Sequence, residues 1–286
     1  MWYVLKNGVI NLGKIRNEIS MYLPFGRSVI QRQMSYKVGF FMRIIGGLVQ
    51  VMIMYYLWVA IFNSEVTGII QGFTKNEMIT YVIISYIVMQ MINISIEWTI
   101  SDDIRSGSIA TNLIKPINYE KRILAESLGE TFKNTITIAL PVWIIFYAYQ
   151  FFKQGILPPS IGTLALFLLS LILGYIIIFL FNFIFSISSF YVTYIWGFIL
   201  CKWMIINFFS GQLIPLVFFP DALKNVLNYL PFSGMSYTPV MIYLGKYSTS
   251  EAIFAIGVQA VWVVILFVLF KILWSKAIKR VAVLGG

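Results

Sequence analysis

The sequence has no histidine and a single cysteine, Cys201, and only 11% of its 286 residues are charged. Without histidine, the commonest neutral-pH general base and metal ligand is missing. One cysteine excludes an intrachain disulfide. A soluble domain normally carries about a quarter charged residues, so the shortage argues against that class. Acid–base chemistry needs carboxylates or imidazoles within reach of one another. The only candidate pair is the adjacent Asp102-Asp103, which reads better as a helix-end or loop feature than as a catalytic or metal site. A phosphate-binding loop, G-x-x-x-x-G-K-[ST], is also missing. Gly13-Lys14 is followed by Ile15, and Gly245-Lys246 by Tyr247. No catalytic, cofactor-binding or metal residue is therefore expected, and any energy has to come from a partner or an ion gradient. The opening residues, MWYVLKNGVINLGK, do not show the pattern of a cleavable signal peptide.

What the chain does have is apolar length: it is 59% hydrophobic, with a mean hydropathy of +0.84. A helical span needs about 20 mostly apolar residues. Six segments qualify, at about Gly39–Phe62, Met78–Trp98, Thr135–Phe152, Thr163–Ser186, Val192–Leu213 and Ala252–Trp274. The net charge of +10 is read through the positive-inside rule and not as a nucleic-acid surface. Sixteen basic residues fall before or at the start of the first span, after the second, and at the end of the sixth or beyond it. Four (Lys75, Lys153, Lys224 and Lys246) fall on the other side, and Lys202 lies within a span. Both termini and the segment Ser101–Lys133 are thus expected in the cytoplasm. Trp58, Tyr55, Tyr56 and Tyr81 suit an outer interfacial belt, and Gly46-Gly47 suits a close helix approach.

Near the N-terminus, Trp2, Leu5, Val9, Leu12, Ile15, Ile19 and Tyr22 recur at helical spacing, opposite Lys6, Asn7, Asn11, Lys14, Asn17 and Glu18. This predicts an amphipathic helix lying in the membrane interface, ended by Pro24 and Gly26. Between the last two spans, Ser210–Tyr243 is apolar but interrupted by Pro215, Pro220, Pro231 and Pro239. Four prolines at this density exclude a plain span. The prediction is a pair of short helices dipping into the outer leaflet, one of them in PDALKNVLNYL with Asp221 at its positive end.

Ser101–Lys133 holds five basic and five acidic residues in an otherwise apolar chain. Ser106-Gly107-Ser108 is a turn signal. Ile109–Ile114 predicts two helical turns, which must stop at Lys115 because it precedes Pro116. Asn118 is placed to cap a second helix, in which Leu124, Leu128 and Phe132 form an apolar face opposite Glu120, Lys121, Glu126 and Glu130. A helix, a hard stop and an amphipathic helix leading into the third span together make a stiff docking surface.

Two polar residues stand apart within the spans. Lys202 lies about twelve residues into the fifth, and a lysine at that depth has to face the protein interior or a subunit interface. Glu97 sits near the cytoplasmic edge of the second, so the two are not paired here as the ion site of a carrier. An ion-coupled secondary transporter, and less so a membrane-embedded enzyme, are the alternatives to a partner-driven transporter.

The arrangement of six spans, interfacial helix, structured first cytoplasmic loop and re-entrant outer hairpin resembles the permease subunits of ABC-2 type transporters. The similarity is most specific in GSIATNLIKPINY (Gly107–Tyr119), which looks like the cytoplasmic loop of the branch whose permeases occur in pairs. It is also specific in SGQLIPLVFFPDALKNVLNYLPF (Ser210–Phe232), which looks like that branch's outer hairpin. The resemblance implies an all-α membrane protein in the bacterial cell membrane. Residues 1–286 would form one permease domain, with an interfacial segment at 1–38, a coupling segment at 99–133 and an outer re-entrant segment at 210–245. It further implies an export path shared with a second permease, favoured to be a different chain, and two cytoplasmic ATP-binding subunits that hold the ATP and magnesium. Membrane lipids surround the assembly, and nucleic acid has no part in it. Gly107, Ile114, Lys115 and Pro116 match the coupling loop, and Pro215, Pro220 and Pro231 the hairpin. A drug, an antimicrobial peptide or a lipid-like molecule would each suit the apolar walls.

Overall fold

A computed structural model describes residues 12–155, 159–192 and 194–284. The fold is helical throughout, apart from one two-residue-per-strand hairpin, and five of its helical segments are long and apolar enough to cross a membrane. α1 (Leu12–Ser35) runs straight through Pro24 and Gly26, where the sequence predicted its end. Proline costs one backbone bond inside a helix. Here the loss is offset by packing: α1 lies against the helix at Tyr119–Asn134 so closely that a methyl on Gly129 would sit 2.7 Å from the Gly26 Cα. The first part of the predicted amphipathic helix, residues 1–11, lies outside the described residues.

α2 (Lys37–Asn63) matches the first predicted span but is nearly all exposed. It meets the body through buried Trp58 and Phe62 near its end, and at Gly47, where a methyl would strike the Tyr86 hydroxyl; Gly46 beside it faces open space. A hairpin follows, β1 (Ile69–Ile70) pairing antiparallel with β2 (Phe73–Thr74). Its turn residues Gln71 and Gly72 both have positive φ, as a two-residue turn of this type requires. Thr74 and Glu77 then form a capping box that starts α3 (Lys75–Ile92).

The second predicted span is not one helix. It breaks at residues 93–95 and resumes as α4 (Ile96–Arg105). α5 (Ser108–Ile114) and α6 (Tyr119–Asn134) follow, and α6 runs without interruption through a π-helical turn (Thr135–Ala139) into α7 (Leu140–Tyr149) and a second π turn (Gln150–Gln154). The first π turn immediately precedes Pro141, which sits in the first turn of α7. Widening the helix there accommodates the missing donor and the ring. The fourth span is α8 (Ile161–Ser186), started by Ser160 capping Thr163.

The fifth predicted span, Val192–Leu213, contains only fourteen helical residues, α9 (Trp196–Phe209). At 1.5 Å per residue it is ~21 Å long, short of a ~30 Å hydrocarbon layer. The hairpin segment then folds into a 3₁₀ turn (Leu216–Phe218) and three short helices, α10 (Asp221–Tyr229), α11 (Pro231–Met235) and α12 (Tyr237–Tyr243). Each of Pro215, Pro220 and Pro231 stands at the start of one of these elements. α13 (Thr249–Leu284) is the last span and, at 36 residues, outruns the predicted 23 or so apolar positions at its core.

The core lies among α3, α4, α8, α12 and α13. α8 and α11 approach almost backbone to backbone: a methyl on Gly174 would sit 2.9 Å from the Gly234 carbonyl oxygen. Gln259 of α13 closes this joint. Its amide nitrogen donates to the carbonyls of Gly234 (2.7 Å) and Ser170 (3.0 Å), and its oxygen accepts from Ser170 Oγ at 2.9 Å. A buried amide is costly in an apolar phase unless satisfied, and this one is.

Candidate functional site

The segment Ser101–Lys133 forms one end of the molecule. Gly107, with φ of +74°, makes the left-handed turn into α5, a position where a Cβ would be strained. Lys115 is extended (φ −64°, ψ 147°) and ends α5 before Pro116, as the pre-proline restriction requires. Asn118 accepts from the Lys121 backbone N–H at 2.9 Å and caps α6. Within α5, Ile109 and Asn112 are buried, and Lys115 Nζ donates to Asn112 Oδ1 at 2.8 Å. Ile114 points outward, 83% exposed, beside exposed Thr111 and Pro116.

The short helix is held by its neighbours. Asp103 receives hydrogen bonds from Ser108 Oγ, Tyr119 Oη and Arg122 Nη2, each at 2.9 Å. Of the adjacent aspartates, then, Asp103 is a structural bracket, whereas Asp102 pairs with exposed Arg105. The Tyr119 ring stacks on Trp274 of α13, with centroids 5.6 Å apart. Glu120 pairs with Lys271 at 2.5 Å, and Lys121 with Glu18 of α1 at 2.6 Å. Tyr22 Oη accepts from the Asn118 backbone N–H at 2.9 Å. α5 is thus tied through Asp103 of α4 to α6, which is itself fastened to α1 and α13.

The apolar face of α6 is turned outward, an orientation that the sequence pattern left open. Leu128 (48% exposed) and Phe132 (59%) point outward, while Ser127, Glu130, Lys133 and Asn134 are buried. Apolar side chains lose nothing by facing lipid, and polar ones find partners inside a bundle. The inward carboxylate of Glu130 serves the break in the second span. It accepts from the Ser95 backbone N–H (3.0 Å), from Ser95 Oγ (3.2 Å) and from Gln33 Nε2 of α1 (3.3 Å). Lys133 Nζ in turn donates to Gln33 Oε1. A cavity of about 170 Å³ opens beside this cluster, bordered by Arg32, Gln33, Thr99 and Glu126.

The other side of the break is satisfied from the membrane-embedded body. Asn182 Nδ2 of α8 donates to the Ile94 carbonyl at 3.2 Å. Its Oδ1 accepts from Lys202 Nζ at 2.8 Å, and Lys202 also donates to Glu97 Oε1 at 2.6 Å. Lys202 is 5% exposed, so it faces the interior as predicted. Its partner is the residue set aside in the sequence, because the break brings Glu97 inward onto a new helix. Without the break, Glu97 would be read at the edge of a straight span. The sequence signal that was available is the run Asn93-Ile94-Ser95 between two apolar stretches, with a second polar residue, Asn182, in the middle of the fourth span. These contacts link the end of the molecule that carries α5, through Glu130, to α8 and α9. Among the described residues no cluster of His, Cys, Asp or Glu could hold a metal ion.

The sequence profile of a family described as "ABC-2 family transporter protein" matches residues 48–285. No curated protein matches the chain.

Proposed function

The chain belongs to the ABC-2 family of transporter proteins, and on that premise we propose that this multi-pass permease subunit serves an ATP-driven exporter, with α5 as the element through which a cytoplasmic ATP-binding subunit moves it. The observation that carries the reading is the exposed Ile114 at the tip of α5. An isoleucine this exposed on a frame braced to α1, α6 and α13 is a knob in search of a hole. Basic residues concentrate at this end, which supports a cytoplasmic position for it and both termini. ATP and magnesium belong to the partner. The exposed α2, with Phe41, Ile45, Leu48, Met52 and Tyr56 facing outward, offers surface for lipid and for a second permease, which we take to be a different chain.

On this reading, Gly107, Ile114, Lys115 and Pro116 shape or contact the docking surface, and Glu130 passes its movement to the broken span. Pro215, Pro220 and Pro231 divide the outer hairpin that closes the opposite face. The test is co-purification of the full-length chain with its ATP-binding subunit, combined with ATPase measurement. Ile114→Asp and Pro116→Ala are expected to insert normally but to lose the bound subunit or its stimulation. Wild-type recovery and stimulation in both variants would overturn the assignment.

One observation favours the alternative. A buried Glu97–Lys202 pair is a feature of ion-coupled carriers. Transport abolished by a protonophore but unaffected by ATP depletion would select that reading instead.

A further inference from the structure

The end of the molecule opposite α5 contains a cavity of about 410 Å³ between α10, α12 and α13, a size that accommodates a small organic ligand. Glu251 and Lys271 lie twenty residues apart on α13, ~30 Å along a helix, so the cavity and the α5 end flank opposite sides of one hydrocarbon thickness. Its walls combine three chemistries. Tyr229 and Phe254 present rings in edge-to-face contact, with centroids 6.3 Å apart, and Tyr247 adds a third ring. Asn225 and Asn228 supply neutral amides. Glu251 is the only formally charged residue in the wall. Burial, then the nearby Glu251 carboxylate, pushes the Tyr247 phenol up, so that ring stays neutral. The floor is apolar, formed by Ala255 and Val258.

On the same side of the molecule Glu77 pairs with Lys246 and Asp221 with Lys224. Two carboxylates on this side of the molecule, Glu65 and Glu251, form no ion pair among the described residues, and of the two Glu251 lines the cavity. Glu251 Oε2 accepts from the Ser248 backbone N–H and hydroxyl, each at 2.8 Å. The Tyr229 backbone is fixed by Trp262, whose Nε1 donates to the Tyr229 carbonyl at 2.7 Å. An uncompensated carboxylate beside aromatic rings attracts an organic cation by charge and by the negative faces of the rings, and an apolar floor at membrane depth takes an alkyl tail.

We propose that this cavity is a binding site for an amphiphilic ammonium, with the cationic head against Glu251, Tyr229 and Phe254 and the tail on Ala255 and Val258. The site is independent of how transport is powered. The same chemistry is offered by a free alkylammonium and by an amine-headed phospholipid.

The test uses the full-length chain in maltoside micelles and octyltrimethylammonium, measured by equilibrium dialysis. Saturable binding near one equivalent per chain is expected, weakened about tenfold or more in Glu251→Gln and in Phe254→Leu. Glutamine keeps an oxygen for Ser248, and leucine keeps the bulk, so each variant is required to retain the wild-type thermal midpoint. Competition by phosphatidylethanolamine but not phosphatidylglycerol identifies the lipid as a source of the ligand. Competition by neither leaves the free amphiphile as the source and supports the site equally. Equal binding by wild type and both variants, displacement by uncharged octyl glucoside at the same concentration, or no saturable binding would overturn the proposal.

Discussion

Around α11 and α12 the molecule is fastened with neutral parts: glycines in backbone contact, buried aromatic rings and one amide, Gln259, with every bond filled. Around α4 and α6 it is fastened with ions: Glu130 on an opened backbone, Glu97 against Lys202, and Asp103 under Arg122. Neutral contacts of the first kind are short-ranged and have no second arrangement of similar energy. Charged groups on a helix break have alternatives, because each can trade one oxygen or donor for another or for water. The difference teaches where the fold can move. The expectation that follows is rearrangement at the ionic end around a neutral end that keeps its shape.

The comparison can be broken most forcefully at Lys202. Lys202→Met leaves Glu97 buried beside an apolar chain, and a loss of about 3–5 kcal/mol is expected, read as a lower midpoint in detergent-induced unfolding. Adding Glu97→Met should recover most of it, because the uncompensated charge is then gone. A smaller effect is expected from Glu130→Ala, about 1–3 kcal/mol for the stranded Ser95 N–H. Here the sharper readout is transport, which should fall further than the unfolding midpoint implies. Gln259→Leu, at the neutral end, is expected to cost about 0.5–2 kcal/mol while leaving ATPase stimulation unchanged. If stimulation falls with it, the two ends are not separable. Least of all should come from Glu18→Gln at the half-exposed Lys121 pair, at most about 1 kcal/mol, with the wild-type value itself falling toward the variant's at high salt.

Much of the α5 end was legible in the residues. A Gly between two serines, a Lys-Pro step and an Asn three residues before Lys121 are local rules, and local rules survive folding. The four prolines of the hairpin likewise punctuate the chain wherever it goes. What could not be read depends on tertiary contact. Pro24 stays inside a helix that is held two residues further on, where Gly26 packs against Gly129 of α6. The orientation of α6 could not be read because a hydrophobic stripe has two destinations in a membrane protein, the core or the lipid, and periodicity alone does not distinguish them. The Glu97–Lys202 pair was hidden because a break of three residues changes which way Glu97 faces. The short α9 was overestimated for a related reason: hydropathy runs on through Ser210–Leu213, but the backbone does not.

The Lys202 contact also has a consequence for how the chain is made. α9 on its own is a short apolar helix with a lysine in its middle, and such a residue adds about 2.5–3.5 kcal/mol to entry into a bilayer. Its neutralising partner is 105 residues earlier in the chain. During synthesis, Glu97 is already in place when α9 emerges, so the ribosome delivers the anion before the cation that needs it. The order of translation thereby makes docking on the preformed second span a condition for α9 to settle, and a chain whose earlier half is misassembled has no place to put it.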